Sequence, residues 1–142
     1  MLPMLATKAP QVPVGEAWTH EVKWDGVRAL TDVTAQRVRM SSRNDNAITI
    51  AWPELHVAPL GERDLLVDGE IIALNDRGLP DFRVLQDRMH VRSAATAARQ
   101  AAARPAIYMV FDLLRLDGRD LTGLPLDERR AELAGLGLDG SW

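Results

Sequence analysis

The sequence predicts an α+β fold built on a mostly antiparallel sheet, and three observations carry that prediction. LLVDGEIIAL (65–74) and AIYMVFDLLRL (106–116) are long apolar runs with β-branched residues, the mark of buried strands. Shorter strand-like stretches come before them, and helical patterns are inserted between strands without the strict alternation of a parallel sheet. There is no internal repeat, and 142 residues make one domain or a fragment of a larger one.

Taken in order, residues 1–17 hold Pro3, Pro10 and Pro13 with little periodicity and read as an extended lead-in. WTHEVK (18–23) suits a strand, WDG a turn, and VRALTDV (27–33) a second strand. RVRMSS (37–42) is a third candidate, ending at the turn-like SRNDN (42–46). Trp52 to Val57 reads as a short helix with Pro53 in its first turn. NDRGLP (75–80) closes the 65–74 strand, and FRVLQDRM then reads as a helix with Asp81 as N-cap. Ser93 caps an alanine-rich surface helix that runs to Ala103 and is stopped by Pro105. Asp117-Gly118 turns the chain after the 106–116 strand, and a last helix spans roughly 126–136, ended by Gly135 and Gly137. No strand pattern follows it.

Composition removes several function classes. Apolar residues form 46% of the chain, enough for a core and too much for a disordered tail. Without cysteine there can be no disulfide scaffold, cysteine zinc site or cysteine nucleophile. His20, His56 and His90 lie too far apart for a helical zinc motif. No apolar stretch approaches the roughly 20 residues that cross a bilayer, and the first residues lack the features of a secretory signal. A soluble, intracellular protein is therefore expected. The net charge of −3 provides no global attraction for nucleic acid. Of the 17 cationic residues only Lys8 and Lys23 are lysines; the other 15 are arginine, which cannot lose its proton.

Three polar features stand where a plain core would not put them. In Glu21-Val22-Lys23-Trp24-Asp25-Gly26-Val27-Arg28, a strand would set Glu21 and Lys23 on one face, with Lys23 at the strand end. Gly26 allows the tight return that brings Arg28 back beside it. A lysine attacks phosphorus only as the free amine, so its usual pKa of about 10.4 must fall, and Arg28 or a bound metal favours that. The plain alternative is a hairpin with a Lys–Glu surface pair. Asp68 and Glu70 share a face of an apolar strand, where a carboxylate must be paired, hydrogen-bonded or bound to metal. They read either as a buried salt bridge to an arginine or as a metal or sugar-hydroxyl ligand at a pocket mouth. Phe111-Asp112 interrupts the second long strand; the phenylalanine alone reads as core, and Asp112 repeats the burial problem.

Lys23-Trp24-Asp25-Gly26-Val27-Arg28 resembles the KxDGxR motif of the covalent nucleotidyltransferases, which comprise ATP-dependent DNA ligases, RNA ligases and mRNA capping enzymes. Ser42-Arg43-Asn44, Val67-Asp68-Gly69-Glu70 and Val110-Phe111-Asp112-Leu113-Leu114 follow in that family's order. Pro3-Met4-Leu5-Ala6, the phrase around Pro80-Asp81-Phe82, and LDGRDLTGLPLDERR (116–130) look like bacterial DNA ligases of the end-joining type. The resemblance covers roughly residues 3–136, and four ordered motifs are far more specific than a lone KxDG.

The resemblance implies an ATP-grasp-like nucleotidyltransferase fold, here incomplete at the C-terminus. It implies that Lys23 attacks the α-phosphate of ATP and becomes lysyl–AMP, which is then passed to a 5′-phosphate at a DNA nick or break. Arg28 would contact the sugar or phosphates, Glu21 would help recognise adenine, and Arg43 would hold the phosphate of AMP or of the DNA end. Glu70 would bind the ribose hydroxyl or a divalent metal, Mg²⁺ or Mn²⁺, and Phe111 would stack on adenine. Asp25, Gly26, Asp68 and Asp112 would shape the pocket. The family's EGxxxK and KxK-like strands have no counterpart, since no lysine follows Lys23, and the OB-type domain that closes over ATP and DNA is also missing. The chain thus reads as the N-terminal part of an adenylation domain of cytoplasmic, bacterial type, with weak or no activity alone. Exposed sheet edges would favour self-association or a partner. The other readings are an RNA ligase or capping-type enzyme, and a remnant that binds nucleotide without chemistry.

Overall fold

The computed structural model describes residues 1–34, 37–56 and 63–142. Within them lie β1 (Val27–Thr34), β2 (Arg37–Ser42), β3 (Leu65–Ala73), α1 (Arg83–Gln86), α2 (Ala94–Ala103), β4 (Ala106–Leu116), β5 (Arg119–Asp120) and α3 (Leu126–Gly135). Two single 3-10 turns, Thr49–Ala51 and Pro53–Leu55, bridge β2 towards β3. The five strands make one sheet in the order β2-β1-β3-β4-β5, with every pairing antiparallel.

The two long apolar runs hold the centre because every residue of β3 except Glu70 is buried, as a strand covered on both faces must be. One face carries the main core: Val27, Ala29 and Val33 of β1, Leu65, Val67 and Ile71 of β3, and Tyr108 and Leu113 of β4. Trp52, Leu55, Leu85 and Ala97 close over it. The Tyr108 hydroxyl donates to the Ala29 carbonyl at 2.7 Å, which satisfies a fully buried polar group. The opposite face alternates in register, so Arg28, Leu30 and Asp32 stand beside Leu66, Asp68 and Glu70.

Two register shifts interrupt the β3–β4 ladder. Asp68 faces Asp112 while Gly69 faces Val110, which leaves Phe111 as an extra residue on β4; Leu114 is extra in the same way. Bulges re-aim side chains, and this one puts the Phe111 ring beneath the Arg28 guanidinium, 5.4 Å from its centre. Gly69 faces the Tyr108 ring so closely that a Cβ there would lie 2.6 Å from Cε2 and 2.7 Å from the Met109 carbonyl. Both neighbours are fixed in the core. Gly69→Ala is therefore expected to cost about 1–3 kcal/mol through overpacking, read as a lowered urea midpoint at unchanged slope.

Several expectations need correction. Residues 18–23 form no strand, and their local backbone bond is Trp18 N–H to the Gly15 carbonyl. A strand pattern without a partner strand gains no ladder, and the sheet's edge at β2 lies elsewhere. Glu21 and Lys23 consequently do not share a strand face: Glu21 pairs with Arg130 of α3 and Lys23 with Asp25. Gly26 does not have the positive φ of a tight return; it is required because any side chain there would strike the Ile71 carbonyl of β3. The helix expected from Asp81 shrinks to the four residues of α1, with Phe82 at the N-cap position. Asp81 instead accepts the Arg83 N–H at 3.0 Å and pairs with the Arg83 guanidinium, a local turn that competes with the helix. The 52–57 helix is the 53–55 turn, with Val57 outside the described residues. Ser93 does cap α2, accepting from the Thr96 N–H at 3.4 Å.

Candidate active site

Glycine at 26 lets the lead-in dock against β3, and that docking opens a cleft of about 860 Å³. Its walls carry Lys23, Asp25, Gly26 and Arg28 from the entry to β1, Ser42 and Arg43 from the end of β2, and Glu70 from β3. Trp24, Asn44, Asn46, His90 and Arg92 complete the polar lining. Three of the four sequence motifs thus meet around one hollow. Glu21, Phe111, Asp68 and Asp112 do not line it.

The electrostatics are organised by pairs. Arg28 stands opposite Glu70 in the ladder but reaches diagonally to Asp68, donating from Nε at 3.0 Å and from a terminal nitrogen at 2.7 Å. Asp68 is 5% exposed, and such a buried carboxylate requires this bidentate partner. Burial pushes its pKa up, while the Arg28 hydrogen bond pulls it back. Of the two readings of Asp68, the buried salt bridge is the one found. Glu70 accepts the Gly26 N–H at 3.1 Å and is otherwise turned to the cleft, with burial raising its pKa. Asp112 is held by a bidentate Arg129, at 2.8 Å to each oxygen.

Lys23 departs from expectation. Its ammonium is 86% exposed and donates to Asp25 at 2.7 Å. That hydrogen bond and the Asp25 charge raise its pKa, with a smaller push from Glu70. The predicted lowering by Arg28 does not arise, because Asp68 neutralises the guanidinium and Asp25 is the nearer charge. It follows that Asp25→Asn should lower the Lys23 pKa and increase the free-amine fraction at any given pH. The acid limb of a pH profile for reaction at Lys23 should then move to lower pH, measured by single-turnover labelling across a pH series.

His90, Arg92 and Asn46 line the cleft without belonging to any of the four motifs, and Asn44 lines it from Ser42-Arg43-Asn44 without an expected role. Their only signal lay in position: the asparagines adjoin Arg43 in SRNDN, and HVR follows the α1 segment. Among the described residues there is no group of three or more side chains that could cage a metal ion, and no helix long and apolar enough to cross a membrane.

The five-stranded antiparallel sheet, with Lys23 and Glu70 both lining the cleft beside the start of β1, has the nucleotidyltransferase fold of the solved ligase structures it resembles. The chain belongs to the ATP-dependent DNA ligase domain family, whose pattern it matches over residues 3–136. It is 41% identical to DNA ligase C of Mycobacterium tuberculosis over 134 residues, covering 92% of this chain and 36% of that protein. It is 35% identical over 136 residues to the multifunctional non-homologous end joining protein LigD of Pseudomonas aeruginosa, 94% of this chain and 15% of that one. A solved structure of mycobacterial DNA ligase D complexed with ATP and MES superposes with a TM-score of 0.68 at 31% identity, covering 82% of this chain and 36% of that chain. The chain therefore spans about a third of DNA ligase C and less of LigD.

Proposed function

We propose that this chain carries the nucleotide-accepting part of an ATP-dependent DNA ligase of the end-joining type, corresponding to the N-terminal portion of the adenylation domain. The observation that carries the reading is the convergence of Lys23, Arg28, Arg43 and Glu70 on one cleft. Support also comes from the family and from the names of its relatives. The Lys23 ammonium first gives up one proton. The free amine attacks the α-phosphorus of ATP, a nitrogen–phosphorus bond forms as the bond from that phosphorus to the pyrophosphate oxygen breaks, and the nitrogen loses a second proton to solvent, keeping one in the phosphoramidate. AMP then passes to the 5′-phosphate of a DNA nick or break.

The residues contribute chiefly position and charge, as phosphoryl transfer demands. Asp25 holds Lys23 at the cleft mouth as the ammonium and must release it before attack. Glu70, anchored on the Gly26 N–H, is placed to accept a ribose hydroxyl or to hold Mg²⁺ or Mn²⁺. A site with two carboxylates suits Mg²⁺, which usually takes one or two protein carboxylates together with substrate phosphates; the ion would neutralise phosphate charge. Arg43 would hold a phosphate. Glu21 is paired with Arg130 and Phe111 lies under Arg28, and neither lines the cleft, so a contact of either with adenine would need a rearrangement of the site. The later lysine-bearing strands and an OB-type domain would be supplied by further sequence or by a partner. The setting would be the bacterial cytoplasm.

The test is incubation with ATP labelled at the α-phosphate and Mg²⁺ or Mn²⁺, followed by peptide mapping. A weak, acid-labile adduct on the Lys23 peptide is expected, strengthened when the rest of an adenylation domain is present. Label on another residue, or stronger label from GTP than from ATP, sinks the reading.

A further inference from the structure

Four cationic side chains, Lys23, Arg28, Arg43 and Arg92, line the cleft against two carboxylates, Asp25 and Glu70, in a chain whose net charge is −3. The local sign is opposite to the global one, and cleft walls focus such a field. The charges are also unevenly spent. Lys23 is tied to Asp25 and Arg28 to Asp68, whereas among the described residues Arg43 and Arg92 join no ion pair.

These two arginines come from distant parts of the sequence and are brought to one rim. The turn after β2 is locked by Ser42 N–H to the Asn46 carbonyl at 2.9 Å and by Asn46 N–H to Ser42 Oγ at 3.2 Å, with Asp45 in the left-handed region at φ 60°. Ala47 then bridges to Ser41. Arg92 donates one N–H to the Ala47 carbonyl at 3.3 Å, which fastens it to the turn that bears Arg43. A guanidinium has five donors, so the fork of Arg92 keeps most of them free. Asn44 and Asn46 line the same rim and offer amide donors.

Resting on the nucleotide-accepting reading of this cleft, we infer that Arg92 is a second phosphate-binding residue, acting with Arg43 as a rim clamp for a phosphate group. The phosphate comes either from the triphosphate tail of the nucleotide or from the 5′ end of a DNA strand. Planar guanidinium forks suit phosphate oxygens better than a point charge does.

The experiment titrates the full chain and its variants with pyrophosphate, AMP and ATP, and with nicked duplexes bearing a 5′-phosphate or a 5′-hydroxyl. Arg92→Ala is expected to weaken at least one phosphate ligand about tenfold, the scale of one charge-assisted hydrogen-bonding partner. Arg92→Lys should recover part of the loss. Arg99→Ala removes the same charge from α2, outside the cleft, and should change nothing. Loss for pyrophosphate and ATP with AMP unaffected identifies the triphosphate tail; loss confined to the 5′-phosphorylated duplex identifies the DNA end. Equal binding by Arg92→Ala and the parent chain for every ligand overturns the inference, as does an equal loss in Arg99→Ala or no phosphate binding by the parent. Circular dichroism verifies that each variant is folded. An adduct on Lys23 with no Arg92 effect removes the clamp and leaves the nucleotidyl reading; an Arg92 effect without any Lys23 adduct does the reverse.

Discussion

Lys23→Arg is expected to abolish nucleotide transfer to the protein, a loss on the order of 10³-fold or more, as is usual when a covalent nucleophile is removed. The substitution is chosen to separate charge from reactivity. Arginine keeps a cation at the cleft mouth and can still pair with Asp25, so nucleotide binding should change little. Its guanidinium stays protonated at any usable pH and has no free pair for phosphorus. Lysine in the same place is also held protonated, by Asp25, but can give up its proton as that contact breaks. Labelling with α-phosphate-labelled ATP reads the loss, and calorimetry with ATP reads the retained binding. Equal labelling of Lys23→Arg and the parent chain would remove Lys23 from the mechanism.

How much of this was readable in advance depended on whether a feature was local. The central strands were legible because β3 and β4 are continuous apolar runs and need no knowledge of their neighbours. β2 ends at Ser42 as expected, since the turn chemistry that stops it lies in the next few residues. The 18–23 strand failed for the opposite reason: its pattern is right, but a strand exists only through a partner. The site divided along the same line. That Lys23, Arg43 and Glu70 line one cleft accords with what the resemblance to the nucleotidyltransferases implies. The charge state of Lys23 did not follow, because its main cause is the hydrogen bond and charge of Asp25, while Arg28 is engaged by the diagonal Asp68 rather than by the directly opposed Glu70. No spacing rule decides between those two acids. The bulge that inserts Phe111 is likewise a property of the β3–β4 register and leaves no mark in IYMVFDLLRL.

The largest loss of stability is expected from Glu54→Ala, at about 3–5 kcal/mol. Its partner Arg88 is 2% exposed, a buried charge that fifteen arginines in the sequence gave no means of singling out. Glu54 takes both terminal nitrogens of Arg88, at 2.6 and 2.9 Å, and also accepts the Ala106 N–H at 2.8 Å at the start of β4. Arg88 donates further to the carbonyls of Ala51 and Arg104 and lies over the Trp52 ring, 4.6 Å from its centre. One guanidinium therefore joins the 3-10 turns, the segment after α1 and the end of α2. Removing the carboxylate leaves that charge buried without its counter-ion and orphans a backbone donor, which together make up the penalty. Since small domains are stable by only about 5–15 kcal/mol in total, a large share of the fold's margin would go. Removing both charges should cost far less: Glu54→Leu with Arg88→Met replaces the pair by apolar side chains and leaves no uncompensated ion. Urea unfolding of the two single variants and the double variant tests this through the coupling energy of the cycle. Strictly additive losses would show that the pair does not act as a unit and that Arg88 is held by its carbonyls and Trp52 alone.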